Sequence, residues 1–456
     1  MGRVSDFSLA SNVAWHRRAI AFVVAMVLAD SAIVILALPA IYREFEVTVA
    51  QVAWVVIAFN LALAVAAIPA ALIVRRIGAA RQASIGLLGL AGASLACALA
   101  PSLGVLIAAR AVQGVAGAIA VCAALELLPV HAGGDRGAAR SWAAAGIAGA
   151  ALGPAVGGLL TQVFSWQAIF AVQVPLALIP IAIIGFSAQR SATVAGGRPH
   201  MGANAALALL SAGLTAALFL IVLLLIEGWR MAPLTAALVV SVLPAASIAA
   251  APLERRLGAA RVRAAAGALV GAGGLAALGL MPAPGWLWTV PAQILVGVGL
   301  ALSLGALTES ALAGRSRPAL HGGVTIASRH AGIVLGLLLL TPVFVADLDV
   351  QSSRAEQKGV ELVVDSNIAP STKLRLAAKL ASDVQQGSGR LPDVRATIDA
   401  LDADPAQRPA LNALATRLER RLDDAATSSF SRSFLFAALL ALLGLVPIAL
   451  SREVRL

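Results

Sequence analysis

Long apolar runs alternate with short, arginine-bearing connections along the whole chain. The runs begin near Ala19, Ala50, Ala83, Leu103, Ser141, Ala168, Ala203, Pro233, Val262, Trp286, Gly322 and Ser433. Each is about 20 residues or more, the length an α-helix needs to cross ~30 Å of hydrocarbon. They are rich in Ala and Leu and lack the two-residue alternation of strands, so helices are predicted throughout. The pattern therefore predicts an all-α membrane protein with twelve transmembrane helices, called spans 1 to 12.

Composition agrees. Of 456 residues, 60% are hydrophobic and 12% charged, and the mean hydropathy is +0.90, whereas soluble domains are roughly one-quarter charged. A net charge of +11 in a soluble protein would point to nucleic acid; here its distribution points to the bilayer instead. Cys97 and Cys122 fall in separate apolar runs, so neither a disulfide nor a metal site is indicated. The first run, Ala19 to Ile41, exceeds the 7–15 residues of a signal-peptide core and reads as a retained span. With no Walker loop, metal-ligand His cluster or nucleophile elbow, an enzyme is not predicted.

Arginine placement orients the chain. Eighteen arginines fall before span 1, after each even-numbered span or at the C-terminus: Arg3, Arg17, Arg18, Arg75, Arg76, Arg81, Arg136, Arg140, Arg190, Arg198, Arg255, Arg256, Arg261, Arg263, Arg315, Arg317, Arg452 and Arg455. The short opposite-side connections hold two, Arg43 and Arg230. Both termini are expected in the cytoplasm. Between spans 11 and 12, residues 347–431 carry every lysine (Lys358, Lys373, Lys379) and thirteen of the 23 acids. Leu411, Leu414, Leu418 and Leu422 form a helical stripe there. This segment is expected to be a small helical extracytoplasmic insert over the outer mouth.

The phrase "RRIGAAR", Arg75 to Arg81, returns as "RRLGAAR", Arg255 to Arg261, six spans later. Such a recurrence predicts a tandem duplication: a six-helix bundle over 1–187, a cytoplasmic linker over 188–202, spans 7–11 over 203–346, the insert over 347–431, and span 12 with a tail over 432–456. Duplicated halves around a central site are typical of secondary transporters.

Several segments carry a resemblance. "ADSAIVILALPAI" (from Ala29), "WVVIAFNLALAVAAIPA" (from Trp54), "RAVQGVAGA" (from Arg110), "GAALGPAVGG" (from Gly149), "WQAIFAVQVP" (from Trp166) and, more loosely, "ASRHAGIVLG" (from Ala327) are similar to signatures of the major facilitator superfamily, in particular its drug:proton antiporters. The resemblance implies two pseudo-symmetric six-helix bundles, proton-driven efflux of drugs, and no cofactor beyond the proton gradient. It also implies roles for Gln113 and Gly114 in the span 4 motif. Gly149, Gly153, Pro154, Gly157 and Gly158 would form the antiporter motif, packing span 5 against the other half. Arg75, Arg76, Gly78 and Arg81, with Arg255, Arg256, Gly258 and Arg261, would form the cytoplasmic loop motif. Two positions depart from the family pattern: Arg75 stands where an acid is usual, and Ala71 replaces a glycine; in the second copy Glu254 sits one position early.

Ionisable residues inside spans are costly and mark candidate chemistry. Asp30 lies about twelve residues into span 1, ~18 Å along a helix. Arg110 sits at comparable depth in span 4, and Asp30 is its best-placed counter-charge. The pair is either a proton-coupling site or a static ion pair. Glu126 lies about 160° around span 4 from Arg110, as a second proton carrier or an interfacial acid. Glu309 is its approximate counterpart in the second half, and Arg329 and His330 in span 11 are candidates to pair with it as a gate.

Three functions follow in order: a proton-coupled exporter of lipophilic, including cationic, compounds; a facilitator or exporter of one metabolite; and a receptor or scaffold acting through the insert. A monomer in the lipid bilayer is expected, with no nucleic-acid partner and with an extracytoplasmic partner for 347–431 left open. The orientation is directly testable. With Cys97 and Cys122 replaced by serine, cysteines placed at Arg81 and at Arg256 should both react with an impermeant maleimide only from the cytoplasmic side.

Overall fold

The structure is a computed structural model, describing residues 2–131, 135–185, 198–254, 256–312, 318–386, 394–401 and 404–451. Arg190, Arg255, Arg315, Arg317, Arg452, Arg455 and most of the expected linker lie outside these residues. The helices in chain order are α1 (Gly2–Glu44), α2 (Val49–Ile77), α3 (Ala79–Ala98), α4 (Leu103–His131), α5 (Asp135–Val163), α6 (Gln167–Ile184), α7 (Met201–Leu223), α8 (Pro233–Val240), α9 (Val242–Glu254), α10 (Ala260–Gly279), α11 (Trp286–Leu312), α12 (Pro318–Val364), α13 (Pro370–Gln386), α14 (Val394–Asp399), α15 (Arg408–Leu443) and α16 (Leu445–Leu450). Among the described residues, ten helical segments are long and apolar enough to cross a membrane, with α8 and α9 together forming one of them. The remaining two expected spans are α3, diluted by glycine and serine, and α5, of which Leu152–Val163 is apolar.

Local sequence explains the ends. Thr48 and Gln51 form a reciprocal capping box that starts α2. The glycine at the centre of the repeated arginine phrase sits at a break between helices both times: Gly78 ends α2, and Gly258 lies in the connection between α9 and α10. Gly78 has φ +88° and Gly258 φ +69°, a region in which any Cβ is strained.

The two halves pack by one plan. In the first, α1 lies on α5, α2 on α4, α3 on α4 and α3 on α6; in the second, α7 lies on α12, α9 on α11, α10 on α11 and α10 on α15. The correspondence reaches single atoms. A Cβ built on Gly114 would lie 2.2 Å from Phe59 O and 3.1 Å from the methyl of Ala62; on Gly297, 2.2 Å from Leu243 O and 2.8 Å from the methyl of Ala246. Gly149 meets Ala25 O as Gly332 meets Ala208 O. Each of these contacts in the first half thus recurs in the second at an almost constant register. Lipid gives apolar side chains no reason to leave it, so helices associate through close van der Waals contact, and small residues permit that contact. Outward-facing Leu72, Val112, Leu269 and Leu439 suit a hydrocarbon surrounding.

Gly78 and Gly258, at the centres of the two arginine phrases, lie at one end of the bundle. Gly323, early in α12, abuts Ala67 O and Ala71 of α2, Arg261 donates to Ala449 O, and Gly202 abuts Ser451. The connections Phe45–Thr48 and Trp229–Ala232 lie at the opposite end. There α12 and α15 run on unbroken past their apolar parts; α12 has 47 residues, ~70 Å of helix. They join α13 and α14 around a separate core of Val363, Ile368, Leu376, Ile398, Leu411, Leu414 and Leu418. The leucine stripe is thus one wall of a small helical domain. Arg230 pairs with Asp423 at 3.0 Å and Trp229 donates to Thr427 Oγ1, tying α15 to the second half.

Close glycine packing predicts a contrast. Gly114→Ala should lower Tm in detergent, with a cost of about 1–3 kcal/mol from overpacking. Gly92→Ala, with no atom within 4 Å of the added carbon, should leave Tm unchanged or raise it.

Candidate functional site

Asp30 and Arg110 meet inside the first half, 2% and 0% exposed. Arg110 Nη1 lies 2.6 Å from Asp30 Oδ2. A guanidinium cannot shed its charge, so burial obliges other groups to satisfy it. Nε donates to Val55 O at 3.0 Å, Nη1 donates to Gln113 Oε1 at 2.6 Å, and the group stacks 4.3 Å from the centroid of Phe59. Gln173 Nε2 donates to Asp30 Oδ1 at 3.0 Å. Gln113 in turn donates to Ser94 Oγ and to Gln173 Oε1, each at 2.8 Å. Charges, amides and one hydroxyl from α1, α3, α4 and α6 thus form one buried network. Gln113 stood out in sequence as part of the span 4 motif; Ser94 and Gln173 lie outside any motif, and folding alone brings them to it.

One residue beyond Asp30 the chain faces the other half. Ser31 Oγ donates to Asn60 Oδ1 at 3.2 Å, and His330 Nδ1 lies 2.6 Å from the same oxygen. This bridge joins α1 and α2 to α12. It borders a cavity of about 150 Å³ between the halves, lined mainly by apolar side chains such as Leu28, Ile35 and Leu218, together with Ser31, Arg329 and His330.

The other sequence candidates separate. Glu126 is half-buried and its Oε2 accepts from Ala319 N at 3.3 Å, so an acid of α4 caps the start of α12 across the interface. Glu309 pairs with Arg263 at 2.6 Å rather than with Arg329 or His330. Arg75 is half-buried, while Arg76, Arg81, Arg256 and Arg261 are exposed. The antiporter-motif glycines divide. Gly149, Gly153 and Gly157 press α5 onto α1 of the same half, where Cβ atoms would lie 2.5 to 3.1 Å from Ala25 O, Ala32 and Ile33 O. Gly158 alone among them meets the other half, at Ala237, and Pro154 lines the cavity. The motif thus packs α5 on α1 through three glycines and against the other half through Gly158.

At the opposite end two further links cross the interface: Arg43 Nη2 to Glu227 Oε1 at 2.7 Å, and Leu234 N to Gln162 Oε1 at 2.8 Å.

A double-mutant cycle tests the central pair. Arg110→Gln alone strands a buried carboxylate and should cost about 3–5 kcal/mol in unfolding. Asp30→Asn with Arg110→Gln together should cost less than the sum of the single changes.

The comparisons with known proteins fit this architecture. A family model described as Major Facilitator Superfamily matches residues 20–338. The "Multidrug efflux pump LfrA" of Mycolicibacterium smegmatis is 36% identical over 176 residues, 38% of this chain and 35% of that one. The "Tetracenomycin C resistance and export protein" of Streptomyces glaucescens is 37% identical over 162 residues, 35% of this chain and 30% of that one. The chain thus aligns with about a third of the length of these relatives. A bacterial homolog of the human lysosomal transporter Spinster, solved inward-facing and unoccupied, matches with a TM-score of 0.59 at 14% identity over 98% of this chain and 99% of that one. The fold is therefore shared along nearly the whole chain. With the family model spanning well over half of its residues, the chain belongs to the Major Facilitator Superfamily and is a multi-pass membrane transporter, not an enzyme.

Proposed function

We propose that this transporter is a proton-coupled exporter of lipophilic or amphipathic compounds, working by alternating access in a bacterial cytoplasmic membrane. One observation carries the reading: the buried Asp30–Arg110 pair sits a single residue from Ser31, which lines the cavity between the halves. The efflux pumps and resistance proteins that match part of the chain support it.

In this reading α3 and α5 complete twelve spans, the arginine-rich end is cytoplasmic, and the insert is extracytoplasmic. A proton reaching Asp30 neutralises the partner of Arg110. The guanidinium keeps Val55 O and Gln113, but its attraction to α1 falls, and α1 carries Ser31, Asn60's partner, into the interface. Links cross the interface at both ends. Glu126 to Ala319 N closes the cytoplasmic end; Arg43 to Glu227 and Gln162 to Leu234 N close the outer end. Transport requires the two sets to open in turn. A potential of 100 mV supplies ~2.3 kcal/mol per proton, enough for roughly 50-fold accumulation, since ~1.4 kcal/mol is a factor of ten.

The test is drug-linked proton release. Purified wild-type protein in weakly buffered detergent should release protons when a bound lipophilic compound is added, and Asp30→Asn should bind the compound without releasing them. Unchanged release in Asp30→Asn would remove Asp30 from the coupling step.

A further inference from the structure

We propose that the cavity between the halves selects amphipathic anions: compounds with an apolar body and one carboxylate or sulfonate, held by Arg329. The exporter reading matters to this only for the direction of movement; the charge preference stands or falls on the cavity itself.

Arg329 lines that cavity, and among the described residues no carboxylate lies within ion-pair distance of it. None of the lining residues is acidic. The candidate acids of the spans have other partners: Asp30 pairs with Arg110, Glu309 with Arg263, and Glu126 caps α12. A permanent cation against apolar walls is poorly solvated, and an anionic ligand supplies the missing charge. Two more polar groups wait in the same lining. Ser247 and His330 are each 2% exposed, and Ser247 Oγ and His330 Nε2 have no hydrogen-bond partner among the described residues. The Ser247 hydroxyl donates to a ligand oxygen. His330 Nε2, with Nδ1 turned to Asn60, accepts from a ligand N–H or O–H.

The charge is also one-sided. The first-half position equivalent to Arg329 is Gly146, which lines the cavity with no side chain to offer. On the first-half wall, Leu28, Ile35 and Trp142 present apolar surface. The geometry therefore orients a ligand with its head toward α12 and its body toward α1 and α5. A cationic compound of equal size would meet Arg329 with no acid to offset it.

Three probes with one ring system separate charge from size: 1-naphthylacetate, 1-naphthylacetamide and 1-naphthylmethylammonium. Calorimetry on the full-length protein in a non-ionic detergent should find the anion binding at least tenfold more tightly than the other two. Arg329→Gln should reduce anion binding at least tenfold and leave the amide unchanged, which also reports that the variant is folded. Arg329→Lys should keep a preference for the anion. Equal or tighter binding of the ammonium probe, or unchanged anion binding in Arg329→Gln, overturns the proposal. If Arg329→Gln binds no probe, Arg329→Lys decides, and a lysine variant without charge preference overturns it. Proteoliposomes with an imposed pH gradient keep the two readings apart. Anion-selective binding without gradient-driven movement would sink the exporter and leave the selectivity; gradient-driven movement of the ammonium probe alone would do the reverse.

Discussion

Arginine stays protonated at any pH a cell meets, so a guanidinium sealed inside a bilayer has to be matched by its surroundings. At Arg110 that obligation recruits much of the first half. Asp30 supplies the countercharge, Val55 a carbonyl, Gln113 an amide oxygen and Phe59 a ring face. Satisfying Gln113 then requires Ser94 and Gln173, and Gln173 returns to Asp30. The network closes on itself across four helices. Its members hold one another in place, so the loss of any one of them bears on the positions of several helices.

Duplication provided the scaffold but not the charges. Backbone contacts of glycines recur in register across the halves, Gly114 with Gly297 and Gly149 with Gly332. In that same register the residues matching Arg110 and Asp30 are Gln293 and Gly213. Conversely, Gly146 in the first half stands opposite Arg329 in the second. Packing, which serves both halves equally, has been kept in both. Each of these intramembrane charges, which cost free energy wherever they are buried, stands in one half. That division places the buried Asp30–Arg110 pair in one half and the arginine of the cavity in the other, with Ser31, Asn60 and His330 between them.

Much of this was legible in the chain. Apolar length marked ten of the expected spans, the repeated arginine phrase matched a packing plan that recurs in the two halves, and depth along the helix matched Asp30 to Arg110. What escaped the sequence depends on neighbours brought together by folding. Arg43 and Arg230 looked like minor exceptions to a charge rule, yet their partners Glu227 and Asp423 lie far along the chain, in the second half and the insert. Glu126 and Glu309 looked like a matched pair, but one caps a helix of the other half and the other binds Arg263. Asn60 carried a signal that was available, a lone amide in an apolar span. The span count is blurred where it should be: α3 is built of small residues that buy close approach at the cost of hydropathy.

The insert is not hung on a loop. α12 and α15 pass from the bundle into it without a break, and Arg230 and Trp229 fasten it to the second half. A stiff pair of rods fixed to one half acts as a pointer. When the halves tilt against each other, a small angle at the cavity becomes a sweep of several ångströms at the tip, about 9 Å for roughly 10° over a ~50 Å arm at about 1.5 Å per residue. In the proposed alternating-access cycle, the domain at the end of these rods thereby carries a magnified mechanical copy of each turnover.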